Sequence, residues 1–508
     1  MKVCLLNDSF PPIIDGVANV VMNYGKILKE DGLADVMVGT PKYPDTDYSV
    51  YPYKVIPYQS FDTTKIVKGY RAGNPLDFSE IDEMTEWKPD IIHSHCPVAS
   101  TVLARLLRSR TDVPLVFTYH TKFDIDIAKA VKAKFLQQET IKALVSNVAA
   151  CDEVWVVSQG AGENLRSLGF EGDYHVVNNG VDFAKGRVEA EKVAEVVKDY
   201  DLPAGVPVFL FVGRIIKYKG IPLILESLAK LAARGQDFRM VLVGSGPDTD
   251  ELKEQARQYG FVDGDGSKPG KCIFVGPVYD RDKLRAWNTR ADLFLFPSTY
   301  DTNGIVVREA AACGLASVLI AGSCAAEGIT HGRNGYMIEE NADSFSALLE
   351  EACKDLDKVH QVGQCAMDEI YISWSESVYA AHKRYGEIIE LKKSGKLIKK
   401  QPMLMDKFLD FADDLSTGTK HVFAAPKKLM GNAEELFDDV RENVGQFFGG
   451  MGENAGEVLD SMCENAEDFF GDVREKSEDF FESIRENAKE LMEEIREGGD
   501  DLTGKVKD

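Results

Sequence analysis

The chain has 508 residues, enough for two or three domains, and its 44% apolar content is ordinary for a protein that builds hydrophobic cores. The formal charge of −24 at pH 7 excludes a generally basic, nucleic-acid-binding surface. No run approaches the roughly 18 apolar residues of a membrane-spanning helix. The nine scattered cysteines form no CxxC pair, so the expectation is a cytoplasmic chain with reduced thiols and no zinc framework.

The first apolar run ends at Asn7-Asp8, and a helix is predicted near Val20–Leu28. Between them lies Asp15-Gly16-Val17. A glycine in such a turn either lets backbone approach an anionic ligand at the helix N-terminus or simply makes the turn. Further predicted strands end at His93-Ser94-His95 and Thr118-Tyr119-His120, placing three histidines at strand carboxyl ends. Hydrogen bonding to a sugar, metal binding and a structural role are the three readings, and the spacing fits no common zinc motif. Beyond His120, Lys129, Lys132 and Lys134 interleave with Ile127, Val131 and Phe135. This is the pattern of a helix touching an anionic bilayer, or of an ordinary amphipathic surface helix.

The alternation restarts at the Val208–Val212 run, so a domain boundary is expected near residue 200. Gly213-Arg214 follows that run, with Lys219-Gly220 close behind. Two cations beside a loop suit a diphosphate, which Arg can hold bidentately. The Met240–Val243 strand leads into the glycine turn Gly244-Ser245-Gly246. After the Leu293–Phe296 strand comes Asp301-Thr302-Asn303-Gly304-Ile305, then an Ala-rich helix containing Glu309. Backbone amides at Asn303, Gly304 and Ile305 are placed to meet phosphate or sugar oxygens, and carboxylates suit sugar hydroxyls. The Asp-x-Asp triplets (Asp124/Asp126, Asp248/Asp250, Asp263/Asp265) read as solvated charges, and no metal site is expected. Alternating strands and helices predict α/β architecture: two doubly wound parallel sheets facing a cleft beyond their strand carboxyl ends.

After Tyr385 the composition changes. Lys392, Lys393, Lys396, Lys399 and Lys400 open a basic and polar linker over 392–432. Residues 433–498 then form six 11-residue units, such as AEDFFGDVREK and SEDFFESIREN, apolar at positions 1, 4, 5 and 8. At 11 residues per three turns those positions share one stripe. An amphipathic helix lying on a membrane and a self-associating helix both fit. Most of the negative charge sits in this repeat, which disfavours anionic lipid, and Gly445, Gly449, Gly450, Gly452 and Gly456 weaken a continuous helix.

Together these segments resemble the retaining glycosyltransferases of family 4, over Met1 to about Tyr385. The resemblance is carried by Asp15-Gly16-Val17, Tyr119-His120-Thr121, Asn178-Asn179-Gly180-Val181-Asp182, Arg214 through Lys219, Gly244–Pro247, the Asp301–Glu309 motif and Ser373-Trp374. It implies the GT-B fold: a Rossmann-like acceptor domain over 1–200, a Rossmann-like donor domain over 201–370, and a helix over 371–391 that crosses back. It also implies roles. Arg214 and Lys219 would hold the donor diphosphate and Glu309 its ribose. Asp301 would sit near the donor sugar and His120 near its hydroxyls, both at the reaction centre. Gly16, Gly244, Gly246, Asn303, Gly304 and Ile305 would line the donor site. Asp301 and Asn303 depart from the Glu and Phe usual in the family, which bears on the donor sugar. The donor would be a UDP- or GDP-hexose, with no cofactor. Within the family, the loop and turn are similar to those of the group acting on diacylglycerol or phosphatidylinositol. That implies a lipid acceptor and a peripheral place on the inner membrane face. A soluble acceptor (polysaccharide or small molecule) and a non-catalytic scaffold are the alternatives.

Overall fold

The computed structural model describes residues 1–398 with Lys400, Met403, Asp406 and Leu409, apart from 64–69, 76–77, 131–133 and 263–269. The expected 433–498 repeat and most of the 392–432 linker lie outside the described residues. The first half runs β1 (Lys2–Leu6), α1 (Gly16–Glu30), β2 (Asp35–Pro41), β3 (Lys54–Tyr58), β4 (Ser60–Asp62), β5 (Arg71–Gly73), α2 (Phe78–Glu86), β6 (Ile91–Ser94) and α3 (Ala99–Thr111). It continues through β7 (Leu115–Tyr119), α4 (Phe123–Ala130), α5 (Lys134–Ala149), β8 (Glu153–Val156), α6 (Gln159–Ser167) and β9 (His175–Val176). The second half runs α7 (Ala190–Val197), β10 (Val208–Val212), α8 (Ile221–Ala233), β11 (Arg239–Val243), α9 (Thr249–Gln258), β12 (Cys272–Gly276) and α10 (Arg281–Arg290). Then follow β13 (Leu293–Phe296), α11 (Ile305–Ala312), β14 (Ser317–Ile320), β15 (Tyr336–Ile338), α12 (Ala342–Lys354), α13 (Leu356–Glu369) and α14 (Trp374–Lys393).

The first sheet has seven parallel strands in the order β3-β2-β1-β6-β7-β8-β9. The second has six, in the order β12-β11-β10-β13-β14-β15. In each, the chain winds outward from its first strand and then crosses to the other side. The switch points therefore lie between β1 and β6 and between β10 and β13, and ligands bind beyond the carboxyl ends there.

Pleat alternation builds the core of the first unit. Val3 and Leu5 of β1 and Val116 of β7 face one layer, with Tyr24 and Leu28 of α1. Cys4, Leu6, Leu115 and Phe117 face the other, with Leu103 and Leu107 of α3. One large apolar cluster serves most of the second unit, and Val181 and Phe183 already belong to it, with Ala311, Ala366 and Ile370 forming a small one beside it. The chain thus joins the second unit well before residue 200, and α7 packs against α10. The path returns at the end. Ser373 caps α14 in a reciprocal capping box with Glu376, and Trp374, Val378, Ala381, Tyr385 and Ile388 are buried in the first unit. Tyr385 stacks on Trp155 with ring centroids 5.3 Å apart.

Candidate active site

A cavity of about 230 Å³ opens where the two switch points face each other. Gly16 and Val17 reach it from the first turn of α1. Asp15 fixes that turn by capping α1, accepting from Val17 N at 2.9 Å and Ala18 N at 2.7 Å. A Cβ added to Gly16 would meet nothing within 4 Å, consistent with a residue bordering open space. The helix thus starts four residues before the apolar spacing announced it, because a polar cap and a glycine carry no periodicity.

His120, after β7, lines the cavity and is hydrogen bonded through Nε2 to His95 Nδ1 at 3.0 Å. Its Nδ1 has no partner. Burial holds the His120 imidazole down at about 3, so it is neutral in the fold. His93 lies one layer deeper, bonded to Thr118 Oγ1 at 2.7 Å and to the Tyr385 hydroxyl at 2.5 Å. His93 is accordingly structural, tying α14 to the sheet.

From the second unit, Lys219 enters just before α8. Gly220 behind it has φ +81°, and a Cβ there would meet Pro297 O at 2.5 Å. Lys219 Nζ lies 2.6 Å from Asp301 Oδ1, and Ser298 Oγ donates to Asp301 Oδ2 at 2.5 Å. Gly304, with φ +58°, starts α11 without any side-chain cap. Val307 N donates to Gly304 O at 2.8 Å, which leaves the Ile305 and Val306 amides to meet an anion, and Gly304, Ile305 and Val306 line the cavity. Asn303 is buried there with neither Nδ2 nor Oδ1 partnered, leaving an amide ready for a ligand.

Glu309 sits apart from Asp301. It is buried on α11 and paired with Arg281 Nη2 at 2.5 Å. Burial pushes its carboxyl up and Arg281 opposes this. Arg281 also binds Asp182 and lies over the Phe183 ring. The two carboxylates of the motif therefore share no ion-pair partner: Asp301 is held by Lys219 and Ser298, Glu309 by Arg281. Arg214 is exposed and is not among the lining residues. Gly244 and Gly246 have a packing reason for being glycine: added Cβ atoms would lie 1.9 Å from Gly213 O and 2.3 Å from Ile215 O. They hold the loop after β10 in place and do not line the cavity.

The units touch across the cleft. Ser158 Oγ donates to Thr302 O, and Thr302 Oγ1 donates to His120 O at 2.6 Å. Glu327 accepts from the amides of Gln159 at 2.7 Å and Gly160 at 2.5 Å.

Two family models match the chain, "Glycosyltransferase Family 4" over residues 14–185 and "Glycosyl transferases group 1" over residues 193–368. A D-inositol 3-phosphate glycosyltransferase of Catenulispora acidiphila is 30% identical over 321 residues, 59% of this chain and 71% of that protein. The chain belongs to glycosyltransferase family 4. An alpha-monoglucosyldiacylglycerol synthase of Streptococcus pneumoniae is 24% identical, covering 62% of this transferase and 70% of that one. The structure of Anabaena HepE in complex with UDP-glucose superposes with a TM-score of 0.57 at 16% identity, over 77% of this chain and 99% of that one. The protein is thus a glycosyltransferase of GT-B fold that transfers sugar from a nucleotide sugar.

Ser298 and Arg281 escape a reading of the transferase sequence, although each touches an expected site residue. Ser298 follows the end of β13, and Arg281 opens the helix that follows β12. Position at strand carboxyl ends is the signal that would have found them. Among the described residues no three His, Cys, Asp or Glu side chains are grouped to hold a metal ion, and no described helix is long and apolar enough to cross a membrane.

Proposed function

We propose that this transferase moves a hexose from a UDP- or GDP-hexose to a membrane glycerolipid, with retention of anomeric configuration. The observation that carries the donor half is the convergence, in one cavity, of Lys219, the uncapped N-terminus of α11 and the unpartnered Asn303 and His120 groups. The donor diphosphate lies between Lys219 and the α11 amides, with Arg214 closing from the exposed rim. Fixed charge and helix dipole stabilise the negative charge that grows as the bond from the anomeric carbon to the diphosphate breaks. The acceptor oxygen bonds to that carbon, and its proton ends on the leaving diphosphate. Glu309 holds the ribose, with Arg281 opposing the rise that burial imposes on its carboxyl. Neutral His120, positioned through its Nε2 bond to His95, presents Nδ1 to the donor hydroxyls. Asp301 is shorter than the Glu usual in the family and is turned toward Lys219 and Ser298. It is therefore the residue on which donor-sugar selectivity rests.

The lipid acceptor is supported by the diacylglycerol-lipid activity named for the S. pneumoniae relative and by the lysine-bearing segment after His120. The test is mass spectrometry of products after incubation with a panel of nucleotide sugars, a total lipid extract and inositol phosphate. A hexosylated glycerolipid is expected. Product found only in the aqueous phase refutes the lipid acceptor while leaving the donor reading intact.

A further inference from the structure

The second unit reaches the first at the amino end of α6. Glu327 follows a short helical turn, Cys324–Ala326, beyond the carboxyl end of β14. Its Oε2 accepts from Gln159 N at 2.7 Å and its Oε1 from Gly160 N at 2.5 Å. Both oxygens of one carboxylate thus bind the first two amides of a helix in the other unit. Ser158 Oγ accepts from Ala161 N at 3.0 Å, so Glu327 supplies acceptors that the cap of α6 does not. Gly160 makes room for this approach, since a Cβ there would lie 2.7 Å from Cys324 Sγ.

This contact is continuous with the donor site. Ser158, Asn303, Gly304 and Glu327 line one small space between the units. Ser158 Oγ also donates to Thr302 O, and Thr302 Oγ1 donates to His120 O at 2.6 Å. Thr302 is the residue between Asp301 and Asn303. The seating of Glu327 on α6 therefore bears on how far His120, in one unit, stands from Asp301 and Lys219 in the other. A carboxylate at a helix N-terminus is favoured by the helix dipole as well as by its charge-assisted hydrogen bonds.

We propose that Glu327 is a positioning residue for sugar transfer: its carboxylate clasps the amino end of α6 and so holds the two halves of the reaction centre in register. Glu327 does not line the donor cavity, so it acts through His120 and Asp301 and not on the substrate. The proposal rests on the reading that these two residues meet at one donor sugar. Loss of one charge-assisted hydrogen bond shifts an equilibrium by about tenfold to a hundredfold. Without the carboxylate the arrangement in which the units are seated together loses population, and turnover falls with it.

The test compares the full chain with Glu327→Ala and Glu327→Gln. Transfer is assayed with UDP-glucose and with GDP-mannose on a total lipid extract, giving kcat and donor KM. Small-angle X-ray scattering without nucleotide reads the separation of the units, and melting curves read the fold. In Glu327→Ala, kcat is expected to fall about tenfold or more. Donor KM should stay within about threefold, because the cations and amides that hold the donor belong to the second unit. The radius of gyration should rise, and the melting temperature should stay within about 2 °C, since the contact lies between the two cores. Glu327→Gln, which keeps one acceptor oxygen, should fall between the parent and Glu327→Ala in both kcat and radius. A parental radius in Glu327→Ala overturns the clasp, and a larger radius with parental kcat overturns its role in transfer. A melting temperature lowered by several degrees in both variants would reduce Glu327 to a fold-maintaining residue and also overturn the proposal. Parental turnover in His120→Gln would instead remove the donor reading on which it rests, and the scattering result does not depend on that reading.

Discussion

At the scale of single residues, the site rests on groups whose partners are either held ready or missing. Lys219 is locked to Asp301 by an ion pair of 2.6 Å, so its ammonium needs no reorganisation when a diphosphate arrives. Removing one such preorganised charge costs about 10²–10³ in rate. Lys219→Ala is therefore expected to lower kcat by that factor while the melting temperature stays within about 2 °C, because Asp301 keeps its bond to Ser298. Transfer assays beside a melting curve check both. The histidines make a second prediction. Burial holds His93 and His95 well below the ordinary imidazole range. They are neutral in the fold but take up protons in the unfolded chain below about pH 6.5. The unfolded state then binds more protons, so stability is complete above that pH and falls as the pH drops. Each histidine contributes a slope of up to about 1.4 kcal/mol per pH unit. His95→Gln should reduce the slope of unfolding free energy between pH 6.5 and 5 by about one proton's worth, whatever it does to stability at pH 8. Denaturant titrations across that range read the slope directly; an unchanged slope refutes the assignment. Residue types at strand ends were legible in the sequence. The pairings were not, since His95–His120 and Arg281–Glu309 join segments 25 and 28 residues apart through the sheet.

At the scale of elements, β1, β6, β7, β10, β11 and β13 were legible because buried parallel strands are short, continuous apolar runs. Val208–Val212 and Leu293–Phe296 appear in the structure with the bounds the sequence suggested. The three-residue strands β4 and β5 and the two-residue β9 were not legible, having too few residues to show a pattern. Helix α7 shows why the expected boundary near residue 200 and the observed passage near Val181 differ. It buries only Val193, so its composition does not say which sheet it covers, and that is settled by its packing on α10. The glycine turn after β11 was legible as a turn and was expected at the donor. Its geometry gives it a packing role, since Gly244 has φ +141° and its missing Cβ would lie 1.9 Å from Gly213 O. Backbone cannot retreat from backbone there without moving the loop that carries Lys219. Gly244→Ala is expected to cost about 3 kcal/mol, or roughly 6–12 °C of melting temperature. A variant that melts like the parent but binds donor poorly would return Gly244 to the ligand.

At the scale of the whole molecule, the two units are joined by three connections of different kinds. The chain passes from one to the other near Val181, α14 returns, and hydrogen bonds bridge the cleft mouth. Gly180 marks the crossing of the first two: a Cβ there would lie 2.4 Å from Ser373 O, and Val181 N donates to Ile372 O at 2.9 Å. Beyond α14 the chain does not leave at once. Leu409 is 2% exposed within the core of the first unit, and Asp406 neutralises buried Arg105. Asp406 and Leu409 therefore belong to the folded body, and a deletion meant to remove only the acidic repeat has to begin after them. Cutting at residue 401 would leave Arg105 without its carboxylate, and an uncompensated buried charge destabilises by about 3–5 kcal/mol. Deleting 411–508 should instead leave the melting temperature and transfer to a detergent-dispersed acceptor within about 20% of the full chain. The apolar stripe of the six-unit repeat is expected to hold the transferase on liposomes, so the same deletion should lower the floated fraction at least about threefold. Equal flotation of the two proteins would assign the repeat to self-association, which sedimentation equilibrium of the full chain would then show as a concentration-dependent mass.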